Sequence, residues 1–355
     1  MMKVIVVGGN GFIGGHFVEQ YGDRFEKVVV VTRATQSPSS NSNKVYCTMA
    51  DLLSGAAGNE QFDAIVNAAF DHQYQHNIEM LDSIWALVGK LRIPRVIYLS
   101  SMAVYNPFDS GILNTSSPYA SLYDPNVLEK QKTERYLRKL AHGSSVTVSI
   151  LQPTIVYGFG GNWTANGIDG ALCQWLDLPS HGEGQCNAVH VSDVAQAIWS
   201  RVNAQVDNKV STFLINGSES LSWRQFYKGH AQALGVTLNI EQFADNGKQF
   251  HAKLPINLLL WFWFRTPLGY VLNFLLGMAK RIKKSGGHSS NAREMLKSRI
   301  ARGVQSLYRP IGMSRVAHAA QCTVTEEHAA TLYANPRKSF ADGMRELENE
   351  LTSLK

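Results

Sequence analysis

The first sixteen residues, MMKVIVVGGNGFIGGH, constrain the fold of this chain more than any other stretch. Residues 3–7 form a short apolar run rich in β-branched side chains, which is typical of a strand buried on both faces. Three glycines follow in G-x-x-G-x-x-G spacing, at Gly8, Gly11 and Gly14. An apolar helical face then begins at Phe12 and Ile13. A strand, a glycine turn and a helix in this order predict a unit whose helix N-terminus binds the phosphates of a dinucleotide.

The composition places the chain among ordinary globular proteins. Its 355 residues are enough for one large domain or two unequal lobes. Hydrophobic residues make up 45% and charged residues 17%, which excludes a disordered chain. Because a buried strand is predicted from residue 3 onward, we expect no secretory signal. No two cysteines form a C-x-x-C pair, so we expect reduced thiols of a cytoplasmic protein rather than a disulfide or metal framework, at Cys47, Cys173, Cys186 and Cys322.

The net charge of +6 is unevenly distributed. Residues 253–315 contain twelve Lys or Arg and one acidic residue, a local charge of +11, so the rest of the chain carries −5. The basic character therefore belongs to one region, which needs an explanation of its own.

Strands and helices alternate along the first 160 residues. The apolar patterns predict strands at 27–31, 45–46, 61–69, 95–101 and 146–151, and crossover helices at 78–91 and 127–140. The third strand is expected to present the carboxylate of Asp51 at its end. This alternation predicts an α/β fold, a Rossmann-type doubly wound parallel sheet, with ligands outside the carboxyl ends of the strands.

The end of the second strand bears on cofactor choice. An acid there binds the ribose 2′-hydroxyl of NAD, whereas an arginine accommodates the 2′-phosphate of NADP. This chain has Thr32 and Arg33 at that point, and no acid before Asp51. We therefore favour NADP(H) and keep NAD(H) as the alternative, in which Arg33 simply lies in solvent.

Several motifs occur together in a familiar order. They are GGNGFIGGH at 8–16, Asp51-Leu52, Asn67-Ala68-Ala69, LSSMAVY at 99–105, QPTIVYG at 152–158, NAVHVSDVA at 187–195, FLING at 213–217 and SFADGM at 339–344. With them the chain resembles an extended short-chain dehydrogenase/reductase of the NAD-dependent epimerase/dehydratase family. The resemblance covers most of the chain except about 250–320.

This resemblance implies an organisation into two parts and a set of site residues. It implies a Rossmann domain over 1–157 and about 187–217, and a smaller, mainly helical substrate lobe over about 158–186 and 218–355. Asp51 would bind the adenine, Ser101 would orient the reacting hydroxyl or carbonyl, and Lys130 would position the nicotinamide ribose. The cofactor-binding residues it implies are Gly8, Asn10, Gly11, Phe12, Ile13, Gly14, Arg33, Asp51, Leu52, Asn67, Ala68, Ala69, Lys130, Gln152 and Pro153.

The chain departs from the family pattern at its acid/base. The family uses a tyrosine four residues before the lysine, whose positive charge favours the phenolate. Lys130 and the following Glu134 fit, but the position of the tyrosine holds Asn126. An amide donates and accepts hydrogen bonds but does not shuttle a proton near neutral pH. Two replacements stay open: Tyr123, or a water held by Asn126.

Four residues near the expected site need separate comment. Tyr119 and Tyr123 both have the alternative of packing beside the substrate cleft. His190 is more often structural than catalytic in such a segment. Gln152 stands where the family commonly has an arginine, so a charge is lost beside the substrate.

Residues 254–284 combine a broken apolar stretch with the basic cluster KRIKK. Arg265, Pro267 and Gly269 interrupt the stretch, which disfavours a transmembrane helix and favours a segment lying on an anionic membrane. The alternatives are core helices of the substrate lobe and a solvated or diphosphate-binding basic face. We expect no nucleic-acid partner, since charge alone is only an electrostatic footprint.

Two functions of different classes follow. The first is an NAD(P)-dependent oxidoreductase, epimerase or dehydratase acting on a nucleotide sugar or lipid-linked sugar, at the inner face of the membrane. The second is a catalytically degenerate NADP(H)-binding protein that serves as a sensor or assembly partner. The oligomeric state stays open, with a homodimer as one option.

Overall fold

A computed structural model describes residues 1–33, 43–55, 60–71, 73–105, 112–120, 125–207, 209–242, 323–324, 332–333 and 335–353, all within one compact unit. Tyr123 and residues 254–284 lie outside the described residues. Asn126 lies in a described helix, whose side chains are described from Val127 onward.

Seven parallel strands form the central sheet. They are β1 (Lys3–Val7), β2 (Lys27–Val31), β3 (Lys44–Cys47), β4 (Ala64–Asn67), β5 (Arg95–Leu99), β6 (Thr147–Pro153) and β7 (Val210–Ile215). Their order across the sheet is β7-β6-β5-β4-β1-β2-β3, with Val4 of β1 opposite Val28 of β2 and Ala64 of β4. The sheet reverses its direction of growth beside β1, so the glycine turn lies where a doubly wound sheet binds its ligand. The predicted parallel sheet is confirmed.

The described part of the chain also contains eight helices and several short elements. The described helices are α1 (Phe12–Tyr21), α2 (Met49–Ser54), α3 (Tyr74–Leu91), α4 (Pro125–Ala141), α5 (Asn162–Leu172), α6 (Val191–Val202), α7 (Trp223–Ala233) and α8 (Phe340–Ser353). Short 3₁₀ turns cover Gly22–Arg24, Met102–Val104 and Pro179–Gly182. Short strands outside the main sheet are Ile112–Leu113, Ile155–Tyr157, Trp175–Leu178, Gln185–Cys186, Ala188–His190, Leu221–Ser222, Asn239–Gln242 and Thr323–Val324. Within the described part of the chain, no helix is both long and apolar enough to cross a bilayer.

Apolar side chains pack on both faces of the sheet. On one face Phe17 of α1 and Ile198 of α6 contact the strands, and on the other Ile84 of α3 and Leu137 of α4 do so. Burial of both faces explains why β1 and β2 are almost uninterrupted runs of valine and isoleucine. A third apolar core lies outside the sheet, where α5, α7 and α8 pack around Trp223.

Several elements end at other residues than the sequence analysis predicted. The strand predicted at 61–69 is limited to Ala64–Asn67, so the small residues that follow it belong to a turn. The expected carboxylate at the end of the third strand is also wrong in detail. β3 ends at Cys47, and Asp51 lies inside α2 because Thr48 caps that helix.

Candidate active site

The glycine turn after β1 is built almost entirely from backbone. Gly8 has a φ of +79°, and its N–H donates to the Val31 carbonyl over 3.1 Å. A Cβ on Gly8 would lie 2.8 Å from the Ala69 nitrogen, and one on Gly14 would overlap the carbonyl oxygen of Gly8. Both positions therefore need glycine, for the turn conformation and for close packing of the helix on the turn.

The N-terminus of α1 opens directly from this turn. Gly11 is the cap residue in extended conformation, and its N–H donates to the Gly8 carbonyl over 2.9 Å. Glycine offers no side chain to accept a hydrogen bond from the first helical N–H groups. Those donors, together with the positive end of the helix dipole, form a site suited to an anion such as a pyrophosphate.

The residues after β4 close the other side of the turn. Asn67 is buried, and its Oδ1 accepts a hydrogen bond from the Ala69 N–H over 3.1 Å. The Ala68 N–H donates to the Val7 carbonyl over 2.9 Å. Asn67 thus fixes the path of Ala68 and Ala69 against Gly8, with no larger side chain between the backbones.

Arg33 and Asp51 lie on the β2–β3 side of the sheet. Arg33 follows β2, is exposed, and forms no hydrogen bond or ion pair with another residue that the structure describes. Asp51 is engaged locally, since its Oδ2 accepts from the Thr48 N–H (3.0 Å) and the Thr48 hydroxyl (2.7 Å), which lower the pKa of the Asp51 carboxyl. Leu52 is buried, and its N–H donates to Thr48. The structure therefore shows that Asp51 takes part in the capping box of α2. Adenine binding by Asp51 stays a prediction.

Two serines end β5. Ser101 is half-buried, and its Oγ accepts from the Ala103 N–H over 3.2 Å, so it caps the 3₁₀ turn Met102–Val104. Ser100 is only 5% exposed, and its Oγ has no hydrogen-bond partner in the described structure. The motif thus supplies two hydroxyls at the carboxyl end of the sheet, one engaged by the backbone and one with no partner among the described residues.

Lys130 extends from α4 toward the end of β4. Its Nζ lies 3.7 Å from the centre of the Phe70 ring, directly after Ala69. The ammonium donates no hydrogen bond to any described residue. Burial lowers the pKa of Lys130 to about 8, and the negative charge of Glu134 opposes that shift. Lys130 therefore places a cation at the ligand-binding edge, and its N–H donors engage no residue in the described part of the chain.

Behind Lys130 lies a buried polar network that sequence reasoning did not assemble. Glu134 accepts hydrogen bonds from the Tyr119 hydroxyl (2.5 Å) and from Gln152 Nε2 (2.9 Å). The Tyr105 hydroxyl donates to Gln152 Oε1 over 2.7 Å. Burial and the Glu134 charge raise the pKa of Tyr119, so this tyrosine is poorly suited to exchange a proton near neutrality. Both polar atoms of the Gln152 side chain are held within the protein.

The remaining candidates are placed as follows. His190 is buried and caps α6, because its Nδ1 accepts from the Ser192 N–H over 3.3 Å. Burial lowers the pKa of His190 to about 4. Pro153 ends β6 beside β7, and Asn126 lies in the first turn of α4, one turn before Lys130. The signal for the network was available only in Gln152, a polar residue inside an apolar strand.

Comparison with known proteins agrees with this architecture. The model of the NAD dependent epimerase/dehydratase family matches residues 4–215, more than half of the chain, and the protein belongs to this family. None of the curated proteins compared with the chain matches it.

Solved structures share the fold at low sequence identity. The UDP-Glc/GlcNAc 4-epimerase of Campylobacter jejuni is 16% identical, with a TM-score of 0.59 over 70% of this chain and 89% of that one. The dTDP-glucose 4,6-dehydratase of Bacillus anthracis, in complex with NAD, is 19% identical, with a TM-score of 0.58 over 69% and 85%. MoeE5, in complex with UDP-glucose and NAD, is 20% identical, with a TM-score of 0.56 over 68% and 85%.

Proposed function

We propose that this protein is an enzyme that binds a nicotinamide dinucleotide in the glycine turn and modifies the sugar of a nucleotide sugar or lipid-linked sugar. The observation that carries this proposal is the arrangement at the carboxyl edge of the sheet. Glycine backbone, the N-terminus of α1 and Ala68–Ala69 lie on one side, and Lys130 reaches the same edge through Phe70. These residues fit a pyrophosphate on the helix N-terminus and a ribose near a cation.

The chain supplies binding and orientation for the reaction. When bound, the cofactor supplies hydride transfer at the nicotinamide C4. Lys130 donates hydrogen bonds from its ammonium to the nicotinamide ribose. Ser101 hydrogen-bonds the reacting hydroxyl or carbonyl of the sugar and keeps it beside the end of β5.

The proton is handled by a group other than the usual tyrosine. Asn126 does not exchange a proton at neutral pH, and the raised pKa of Tyr119 disfavours that residue as well. We therefore assign the step to Tyr123 or to a water held by Asn126. A Tyr123→Phe variant that loses turnover and keeps cofactor affinity supports the tyrosine, whereas unchanged turnover favours the water.

A direct test is incubation with UDP-glucose, UDP-N-acetylglucosamine, dTDP-glucose and either cofactor, followed by NMR of the sugar. These probes are chosen because similar folds in the comparisons act on or bind such compounds. Conversion of one sugar, abolished by Ser101→Ala, supports the proposal. Cofactor binding without any conversion favours the second candidate.

The second candidate is a protein that binds NADP(H) without hydride chemistry and acts as a sensor or assembly partner. Asn126 favours it, because the family acid/base is missing while the cofactor-binding residues are retained. An Asn126→Tyr variant separates the two candidates. Activity that appears only in the variant supports the binding protein, and activity already present in the natural chain supports the enzyme.

We further propose that the cofactor is NADP(H). Arg33 supports this preference, because it is exposed after β2 and engages no other described residue. A 2′-phosphate placed beside it would gain a charge-assisted hydrogen bond. Arg33→Ser should weaken NADPH binding about tenfold and leave NADH binding unchanged, since one such contact contributes about 1.4 kcal/mol. Equal effects on both nucleotides would contradict the assignment.

Residues 254–284 support a proposed location at the inner, cytoplasmic face of an anionic membrane. Their aromatic residues and the KRIKK cluster are typical of a segment lying at the lipid surface. Co-sedimentation with phosphatidylglycerol vesicles should be lost when the four basic residues at 280–284 are replaced with glutamine in pairs, and at high salt. Sedimentation that is insensitive to both changes, or absent in the natural chain, would contradict this proposal.

A further inference from the structure

Helix α4 carries two oppositely charged side chains one turn apart, the half-buried Lys130 and the buried Glu134. Glu134 has no exposed surface, and the ammonium of Lys130 lies over Phe70. Within the described residues neither side chain forms an ion pair. A buried charge without compensation is strongly unfavourable. Residues four apart share a helix face, and the negative charge of Glu134 opposes the effect of burial on the pKa of Lys130.

Two neutral side chains hold the Glu134 carboxyl group in place. Its two carboxylate oxygens accept hydrogen bonds from neutral donors, the Tyr119 hydroxyl over 2.5 Å and the Gln152 amide over 2.9 Å. Tyr105 holds Gln152 in the orientation that presents its N–H₂ group to Glu134. An arginine at position 152 would instead pair with the carboxylate and cancel its field. Glutamine leaves that field to act on Lys130.

The same helix face also fixes the turn that begins at Ser101. Gln131 donates from Nε2 to the carbonyls of Val104 and Ala120, both over 2.9 Å. Tyr105, the residue that ends this turn, is anchored to the network through Gln152. Side chains of α4 and their hydrogen-bond partners therefore fix the turn that carries Ser101 relative to the helix that carries Lys130.

We infer that Glu134 is a positioning residue, which keeps Lys130 charged and in place and fixes the turn that carries Ser101. Gln152 is the residue that makes this arrangement effective, because it holds Glu134 without neutralising it. The inference rests on the proposed function, in which the Lys130 ammonium contacts the nicotinamide ribose.

The groups around Lys130 give the inference a measurable pH dependence. Phe70 after β4 does not titrate, and Glu134 is the charged group on α4 that acts on Lys130. Tyr98 of β5 and Tyr119 face Glu134, and burial raises the pKa of both, so both stay neutral. Arg138 also faces Tyr119, where it opposes the rise in the pKa of that tyrosine. Binding that needs the Lys130 ammonium therefore weakens as the pH rises through the pKa of that group.

The experiment is a fluorescence titration with NADPH from pH 6 to 9.5, for the natural chain and two matched variants. Glu134→Gln keeps the shape and removes the charge, so the midpoint of the pH dependence should fall by about one pH unit. Tyr119→Phe removes one hydrogen bond from the same carboxylate and keeps its charge, so the midpoint should stay in place. Equal midpoints for all three proteins, or equal shifts in both variants, would overturn the inference.

Two additions keep the test decisive. If Glu134→Gln does not fold, Gln152→Arg is used in its place. An arginine paired with Glu134 should also lower the midpoint of the pH dependence of NADPH binding. An unchanged midpoint would overturn the inference. The NMR titration of ¹³C-dimethylated Lys130, assigned with Lys130→Gln, reports the same pKa without cofactor. A shift there without any NADPH binding would contradict the proposed function and leave the charge coupling supported. Cofactor binding without a shift in the Lys130 pKa would support the proposed function and overturn the charge coupling.

Discussion

The site has one side formed mainly by main-chain atoms and another formed mainly by side chains. The side beside β1 consists of glycine backbone, the N-terminus of α1 and two alanines, whereas the side beside α4 consists of side chains linked through Glu134. Backbone positions tolerate few replacements, because a Cβ on Gly8 or Gly14 meets main-chain atoms. The α4 side has departed from the family pattern at Asn126 and Gln152. The residues expected to bind the cofactor therefore follow the family pattern, whereas the residues expected to carry out the chemistry depart from it.

The largest effect is expected on the backbone side. In Gly14→Ala the new methyl group overlaps the Gly8 carbonyl, so the turn must distort, and nucleotide affinity should fall at least about 100-fold. Gly15→Ala is the matched control, since its methyl group would lie 3.6 Å from its nearest neighbour, the Gly9 oxygen. Fluorescence titration and circular dichroism check both variants. Equal affinity of the two alanine variants would show that the turn does not bind the nucleotide.

An intermediate effect is expected at Lys130. Lys130→Gln should weaken binding about 10- to 30-fold, through loss of a charged hydrogen bond of about 1.5–2 kcal/mol. Binding to the natural chain should also weaken as the pH rises through about 8, where the ammonium loses its proton. Lys132→Gln is the control on the same helix, because Lys132 is exposed and faces Tyr74. A similar loss in both variants would indicate a general electrostatic effect.

The smallest effect is expected at Asn67, whose side chain supports the main chain of the turn. Asn67→Ala removes one neutral hydrogen bond to the Ala69 N–H, so affinity should fall about fivefold, or about 1 kcal/mol. Urea unfolding at pH 7 separates this local effect from a general loss of stability. A loss as large as that of Gly14→Ala would show that a side chain, rather than the glycine backbone, determines the turn.

The backbone side was also the part that the sequence predicted best. The β-branched run at 3–7 and the glycine spacing are local signals, and they led directly to β1, the turn and α1. Asp51 was misplaced relative to β3 because Thr48 competes for it through a capping box. That competition depends on which of two adjacent elements ends first, which periodicity does not determine.

The network on the α4 side could not be predicted for a different reason. Gln152 contacts Tyr105 across 47 positions and Glu134 across 18, and no local pattern links these residues. Buried polar groups require partners, so Gln152 inside an apolar strand signalled that a partner exists, without identifying it. Tyr119 was considered only as a residue that packs beside the substrate cleft, and its hydroxyl in fact donates to Glu134.

The measurement that tests the central claim most directly is a fluorescence titration of the purified protein with NADPH and, separately, with NADH. The account predicts micromolar binding of NADPH, weaker binding of NADH, and loss of both in Gly14→Ala. Tight NADH binding would retain the cofactor site and contradict the role of Arg33. Failure of both nucleotides to bind the natural chain would contradict the claim that the glycine turn holds a nicotinamide cofactor.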